Sequence, residues 1–184
     1  FRAVPKVSIV GSREASEEGR RRTGRLARQL VQSGVVIVSG LAKGIDTAAH
    51  VATMEAGGRT IGVIGTPLDR VYPKENAGLH ERIAEEHLLV SQYPSGSPVR
   101  PGNFPRRNRT MALLANATVI VEAGDSSGSL SQGWEALRLG RSLFFMQSIL
   151  DRPDLSWPTK MLEYGACALQ DSAEILDALP FGDD

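Results

Sequence analysis

The stretch VVIVSGLAKGIDTAAH at residues 35–50 decides the fold. Its first part, Val35 to Ser39, is a β-branched run of the length expected for a strand buried on both faces. A small-residue loop, 39–46, follows and ends with Asp46 at the start of a helix. That helix is expected over Ile45 to Ala56, with Gly57-Gly58 as its stop. Strand, glycine-rich loop and helix in this order form half of a βαβ unit, and the same order recurs on both sides. Further strands are expected at Lys6 to Val10, Thr60 to Ile64, Leu88 to Ser91, Ala117 to Glu122 and Leu143 to Met146. A helix over Glu17 to Ser33 puts Leu26, Leu30 and Val31 on one face. Alternation of this kind predicts right-handed crossovers, so the fold class is α/β, a Rossmann-like three-layer sandwich with a mostly parallel sheet.

The rhythm breaks between Ser148 and Pro158, where Pro153, Trp157 and Pro158 read as a loop. Short helices are expected after it at Thr159 to Tyr164 and Ser172 to Leu179, with a last strand at Ala166 to Leu169. Residues 1–184 thus read as one Rossmann-like domain in which 148–184 is an irregular loop plus closing elements. The apolar fraction of 41% and charged fraction of 23% exclude a disordered chain. No apolar run approaches the ~20 residues of a membrane span, and FRAVPKVSIVGS lacks a signal-peptide core, so the expected address is cytoplasmic with no membrane partner. A single cysteine, Cys167, excludes an internal disulfide and is expected in the core. With three scattered histidines it offers no metal-ligand spacing, and no cofactor is implied.

The chain's 21 basic and 21 acidic residues cancel, so charge distribution carries the information. RPGNFPRRNR at 100–109 holds Arg100, Arg106, Arg107 and Arg109 without an acid, whereas Asp171 to Asp184 holds only acids. The segments rich in glycine and serine all follow strands: GSR at 11–13, SGLAKGID at 39–46, GTP at 65–67 and SSGS at 126–129. Ligands of parallel sheets bind beyond the strands' carboxyl ends, so these loops are expected to converge on one pocket. Small residues let backbone N–H groups approach a phosphate, and a following helix dipole adds attraction. The plainer reading is that the glycines serve tight turns and Asp46 is only an N-cap.

NFPRRNR at 103–109 combines a ring with three arginines, a pattern suited to single-stranded nucleic acid: bases stack on rings while guanidinium forks hold phosphates. Pro101, Gly102 and Pro105 predict an extended surface loop carrying Phe104. Against this, Phe104 can plug the core, and one arginine can pair with Glu122 or Asp125. A second cluster, Arg20, Arg21, Arg22, Arg25 and Arg28, lies on the first helix, where a solvated face is the commoner meaning. Neither G-x-G-x-x-G, a P-loop nor G-x-S-x-G is present, and His50 has no nucleophile partner in sequence.

Taken in order, GSR, VVIVSGLAKGIDTAAH, TIGVIGTPLDRVYP (60–73), NFPRRNR, VIVEAGDSSGSL (119–130) and MLEYGACAL (161–169) resemble the DNA-processing A family, DprA or Smf. The resemblance implies an extended Rossmann fold and a non-catalytic binder of single-stranded DNA. It also implies a homodimer and delivery of the strand to a RecA-type recombinase in transformation. By motif position it implies phosphate contacts from Ser12, Arg13, Ser39, Gly40, Gly44, Arg107, Asn108, Arg109, Ser127, Gly128 and Ser129. Phe104 becomes the base-stacking residue, and Arg100, Arg106 and Lys43 become accessory contacts. Three positions depart from the family: Pro101 where a basic residue is usual, Pro67 in GTP where GTG is common, and FMQS at 145–148 where VPG is common. The family's flanking N-terminal and winged-helix domains have no counterpart in the sequence. The same superfamily includes nucleotide-ligand sensors and phosphoribohydrolases. Gln132 stands where the latter resemble one another in a glutamate needed for glycosidic cleavage, which ranks the enzyme below the sensor as an alternative.

Overall fold

The computed structural model describes residues 4–181; the acids Asp183 and Asp184 and the first three residues lie outside them. Among the described residues seven strands are formed: β1 (Lys6–Val10), β2 (Val36–Ser39), β3 (Thr60–Ile64), β4 (Leu88–Ser91), β5 (Ala117–Ile120), β6 (Ser142–Met146) and β7 (Cys167–Leu169). Seven α-helices alternate with them: α1 (Glu17–Gln32), α2 (Ile45–Glu55), α3 (Ala77–Glu86), α4 (Asn103–Leu114), α5 (Ser129–Arg138), α6 (Trp157–Glu163) and α7 (Ala173–Asp177). Every strand pair is parallel, in the order β4-β3-β2-β1-β5-β6-β7. The direction of winding reverses between β1 and β5, which makes the crevice beyond their carboxyl ends the topological switch point.

Strand parity sends side chains to two layers. Val7, Ile9 and Ile37 pack with Leu26, Leu30, Ala49 and Ile175 from α1, α2 and α7. Val10, Val38, Val63 and Phe145 pack with Met111, Leu130 and Met161 from α4, α5 and α6. Leu30 is fully buried, so truncation to alanine costs about 2–5 kcal/mol. Ser16 caps α1 by accepting from Gly19 N (2.9 Å), with Glu17 and Glu18 in the favourable first turn.

Several local expectations are corrected. Residues 103–109 are helical rather than extended, because Pro105 falls in the first turn of α4, where a missing N–H costs nothing. Cys167 is exposed, not core, since it opens the edge strand β7. The loop at 148–158 is shorter than expected: α6 already begins at Trp157 with Pro158 in its first turn, and Trp157 is buried edge-on against Phe145 (5.3 Å). Asp46 is not an N-cap; Gly44 holds that position at φ 76°, and Asp46 sits inside α2. Among the described residues no helix is long and apolar enough to cross a membrane, and no cluster of metal-ligating side chains occurs.

Candidate functional site

A cleft of about 880 Å3 opens at the switch point. Its lining draws on three of the four small-residue loops expected to converge, Gly11, Ser12 and Arg13 after β1, Ala42 and Asp46 after β2 and Ser126 to Ser129 after β5, together with Arg100, Phe104, Arg107 and Asn108 around the start of α4. The fourth loop, GTP at 65–67, is not part of it, because the Phe104 ring covers Gly65. Tyr72 and Val99 complete one wall. Three arginines, Arg13, Arg100 and Arg107, face two acids, Glu14 and Asp46, so the lining is basic within a neutral chain.

The loop after β1 is wedged between β5 and α2. Ser12 N donates to Glu122 O (2.7 Å), and Ser12 O accepts from Ile45 N (3.1 Å). A Cβ on Gly11 would lie 2.6 Å from Ile45 Cγ1, and one on Gly44 would strike the carbonyl oxygens of Ser12 and Arg13. These glycines therefore serve close backbone packing. Across the crevice, Ser127 N donates to Gly124 O (2.9 Å) and the hydroxyls of Ser127 and Ser129 meet at 2.7 Å. The N–H groups of Arg13, Gly128 and Ser129 have no hydrogen-bond partner among the described residues, which leaves donors from two loops and the start of α5 available to an anion.

The segment 39–46 is mostly consumed internally, contrary to its expected role as a phosphate cradle. Ser39 is buried and donates to Ile9 O (2.7 Å), and Gly40 N donates to Asp46 Oδ2 (3.0 Å). Lys43 points outward and pairs with Glu75 at 2.5 Å. Burial pushes the Asp46 carboxyl above its ordinary range, against the nearby Arg107 charge and the N–H groups of Gly40 and Ala42. His50, on the next turn of α2, is a core histidine. Thr60 Oγ1 donates to Ile37 O (3.0 Å) and so accepts from His50 Nδ1 (2.7 Å), and burial holds the imidazole at about 3.

Arg107 is the largest revision. It is only 5% exposed: Nη1 donates to Gly40 O and to Val63 O (2.7 Å), and Nε to Asn108 Oδ1 (3.1 Å). Burial lowers its pKa, which Asp46 opposes. One arginine does pair internally, as the plainer reading allowed, but not with Glu122 or Asp125. Glu122 accepts from Ser16 N and Oγ (3.1 and 2.6 Å), and Asp125 accepts from Ser156 N (3.0 Å) ahead of α6. Arg107 Nη2 has no partner among the described residues, and it belongs to a side chain lining the cleft. Asn108 ties α4 to α5, with Nδ2 donating to Gly128 O (3.2 Å) and Ser131 Oγ (2.5 Å). Arg106 and Arg109 are exposed outside the lining, and Arg109 pairs with Glu135 (3.2 Å).

Phe104 is half-buried, neither a free loop ring nor a core plug. It covers the bare backbone of Gly65, where a Cβ would lie 2.8 Å from its Cδ1, and it lies 5.2 Å from Tyr72 centroid to centroid. Gln132 is fully buried. In the amide orientation that satisfies its neighbours it lies against the α4 backbone, donating to Asn108 O (2.5 Å) and accepting from Ala112 N (3.2 Å). In sequence Gln132 is marked as a polar residue on a buried helix face shared with Leu130, Gly133 and Ala136. Arg20, Arg25 and Arg28 on α1 form no ion pair among the described residues, whereas Arg21 and Arg22 pair with Glu18.

Comparison with known proteins adds the following. The family model for DNA recombination-mediator protein A matches residues 1–180. DNA processing protein DprA of Bacillus subtilis is 37% identical over 175 residues, which is 95% of this chain and 59% of that protein. The structure of DprA from Streptococcus pneumoniae superposes with a TM-score of 0.87 at 40% identity, over 97% of this chain and 63% of that one. DprA from Helicobacter pylori, whose structure was determined for its single-stranded DNA binding mode, gives a TM-score of 0.82 at 30% identity, over 94% of this chain and 79% of that one. The chain spans about half the length of the curated relatives it matches.

Proposed function

Because the chain belongs to the DNA recombination-mediator protein A family, we propose that its cleft binds single-stranded DNA without converting it chemically. One observation carries this reading: unpartnered backbone N–H groups, arginines and a partly exposed ring share a single cleft at the sheet's switch point. Phosphates are taken by the N–H groups of Arg13, Gly128 and Ser129, helped by the side chains of Ser12, Arg13 and Ser127. Arg107 adds charge from the cleft floor through Nη2, with Asn108 holding it. Ser39, Gly40 and Gly44 shape the floor without touching the strand. Phe104 receives a base. Arg100 adds charge from the cleft lining, Arg106 and Arg109 line the strand's path outside it, and Lys43 is committed to Glu75.

Chemistry is disfavoured because the hydrolase-type glutamate is replaced by Gln132, whose amide is already used by α4. By family membership we extend the proposal to a cytoplasmic homodimer that protects incoming or exposed single strands and delivers them to a RecA-type recombinase. Mobility shift with oligo-dT tests the core of this reading. The expected result is saturable binding that weakens with salt, no competition by nucleoside monophosphates at equal concentration, and no release of free base. Preference for a monophosphate would support the sensor reading instead, and base release would support the enzyme.

A further inference from the structure

Tyr72 is 49% exposed at the rim of the cleft, beside a second ring. Its centroid lies 5.2 Å from that of Phe104, with the planes at 51°, so the two rings touch and nothing fits between them. They form one bent aromatic surface. The Tyr72 hydroxyl has no hydrogen-bond partner among the described residues, and Val99 at 44% exposure extends the apolar wall. The turn presenting Tyr72 is fixed rather than loose. Thr66 Oγ1 donates to Arg70 O (2.8 Å), Ser91 Oγ donates to Thr66 O (2.7 Å), and Asp69 Oδ2 accepts from Gly96 N (3.1 Å). An exposed ring fixed against a second ring beside a basic cleft offers a surface on which another π-face can stack.

Topology supplies the direction. Tyr72 follows β3, whereas the unpartnered N–H groups follow β1 and β5. From β3 to β1 there are two strand spacings and from β3 to β5 three, roughly 10 and 14 Å at ~4.8 Å each. The cleft therefore has its rings toward the β3 side and its unpartnered N–H groups toward β1 and β5. Resting on the reading above, we infer that Tyr72 is a second base-stacking residue, and that the ligand is an oligonucleotide laying adjacent bases on Phe104 and Tyr72. Because every base has a π-face, this contact adds affinity with little sequence preference.

The test titrates the chain with a dodecameric oligo-dT and with the same backbone carrying abasic sites, comparing wild type, Tyr72→Phe and Tyr72→Leu. Leucine keeps an apolar support for Phe104 but offers no ring. Tyr72→Phe is expected to bind within about twofold of wild type. Tyr72→Leu is expected to lose about five- to 150-fold for oligo-dT, with a melting temperature near wild type and little further loss on the abasic strand. Wild-type affinity in Tyr72→Leu, or an equal loss on both strands, would overturn the stacking assignment alone. Failure of wild type to bind oligo-dT would overturn the reading on which it rests as well.

Discussion

Arg107→Met separates a structural arginine from a ligand-binding one. In the folded chain the guanidinium supplies Gly40 O, Val63 O and Asn108 Oδ1 and stands near the buried Asp46 carboxyl. Methionine fills much of the stem's volume but leaves three acceptors without their donor and a buried acid without its counter-charge. Hydrogen bonds to a charged group are worth ~1.5–3 kcal/mol each, but they are not additive here, because the loop can partly relax. Breaking one side of a buried ionic arrangement costs about 3–5 kcal/mol, and that is the expected loss in urea denaturation. Arg107→Met with Asp46→Asn should recover part of it, since the uncompensated charge is gone. The assay is the double-mutant cycle in urea, with oligo-dT affinity measured on each folded variant. A stability within about 1 kcal/mol of wild type, combined with a large loss of affinity, would refute the internal role and return Arg107 to the phosphate contacts.

Other outcomes follow from the same geometry. His50 is held neutral at about 3, against an unfolded value near 6.5. Below pH ~6.5 the unfolded chain takes up a proton that the folded chain refuses. Stability should fall by up to ~1.4 kcal/mol per pH unit on acidification until about pH 3, and His50→Gln should flatten that slope. Phe104→Ala removes a half-buried ring, so urea denaturation should show a loss of about 2 kcal/mol, and titration should show oligo-dT affinity weakened by ~1–3 kcal/mol. Full affinity would place the ring outside the ligand path. Gln132→Leu removes a buried amide beside Asn108 O and Ala112 N, which as an i, i+4 pair of α4 still satisfy each other, so the cost should be about 1 kcal/mol or less; a loss of several kcal/mol in the urea midpoint analysis would show that the helix depends on the amide. Arg109→Ala should change stability by less than about 1 kcal/mol, its pair with Glu135 being exposed on the arginine side, yet lower the salt dependence of DNA binding if the side chain follows the strand.

The sheet was legible because its strands are unbroken β-branched runs, and their alternation with helical periodicity leaves few topologies. The convergence of GSR, 39–46, the start of α4 and SSGS was legible for the same reason, since each loop follows a strand or sits beside the switch point. What could not be read was which polar groups spend themselves internally. Nothing in RRNR distinguishes Arg107, turned inward toward Gly40 and Val63, from Arg106 and Arg109 on the outside, because that depends on helical phase and α4 was read as a loop. Pro105 caused that error: proline in a first helical turn and proline in an extended loop look alike in sequence. Cys167 was placed in the core because a free cysteine is usually buried, whereas its strand lies at the sheet edge. Tyr72 carries only a weak signal in sequence, a tyrosine in a turn closed by Pro73, which suits an exposed ring.

The most direct test follows backbone amide resonances during titration with oligo-dT. The account predicts that the largest perturbations fall on Arg13, Gly128 and Ser129, the amides left without partners at the switch point, with smaller ones on Ser12 and Ser127 and none in α7 on the other layer. Saturable binding that leaves these amides unmoved and shifts α1 or the β7 edge instead would contradict the placement of the strand in this cleft.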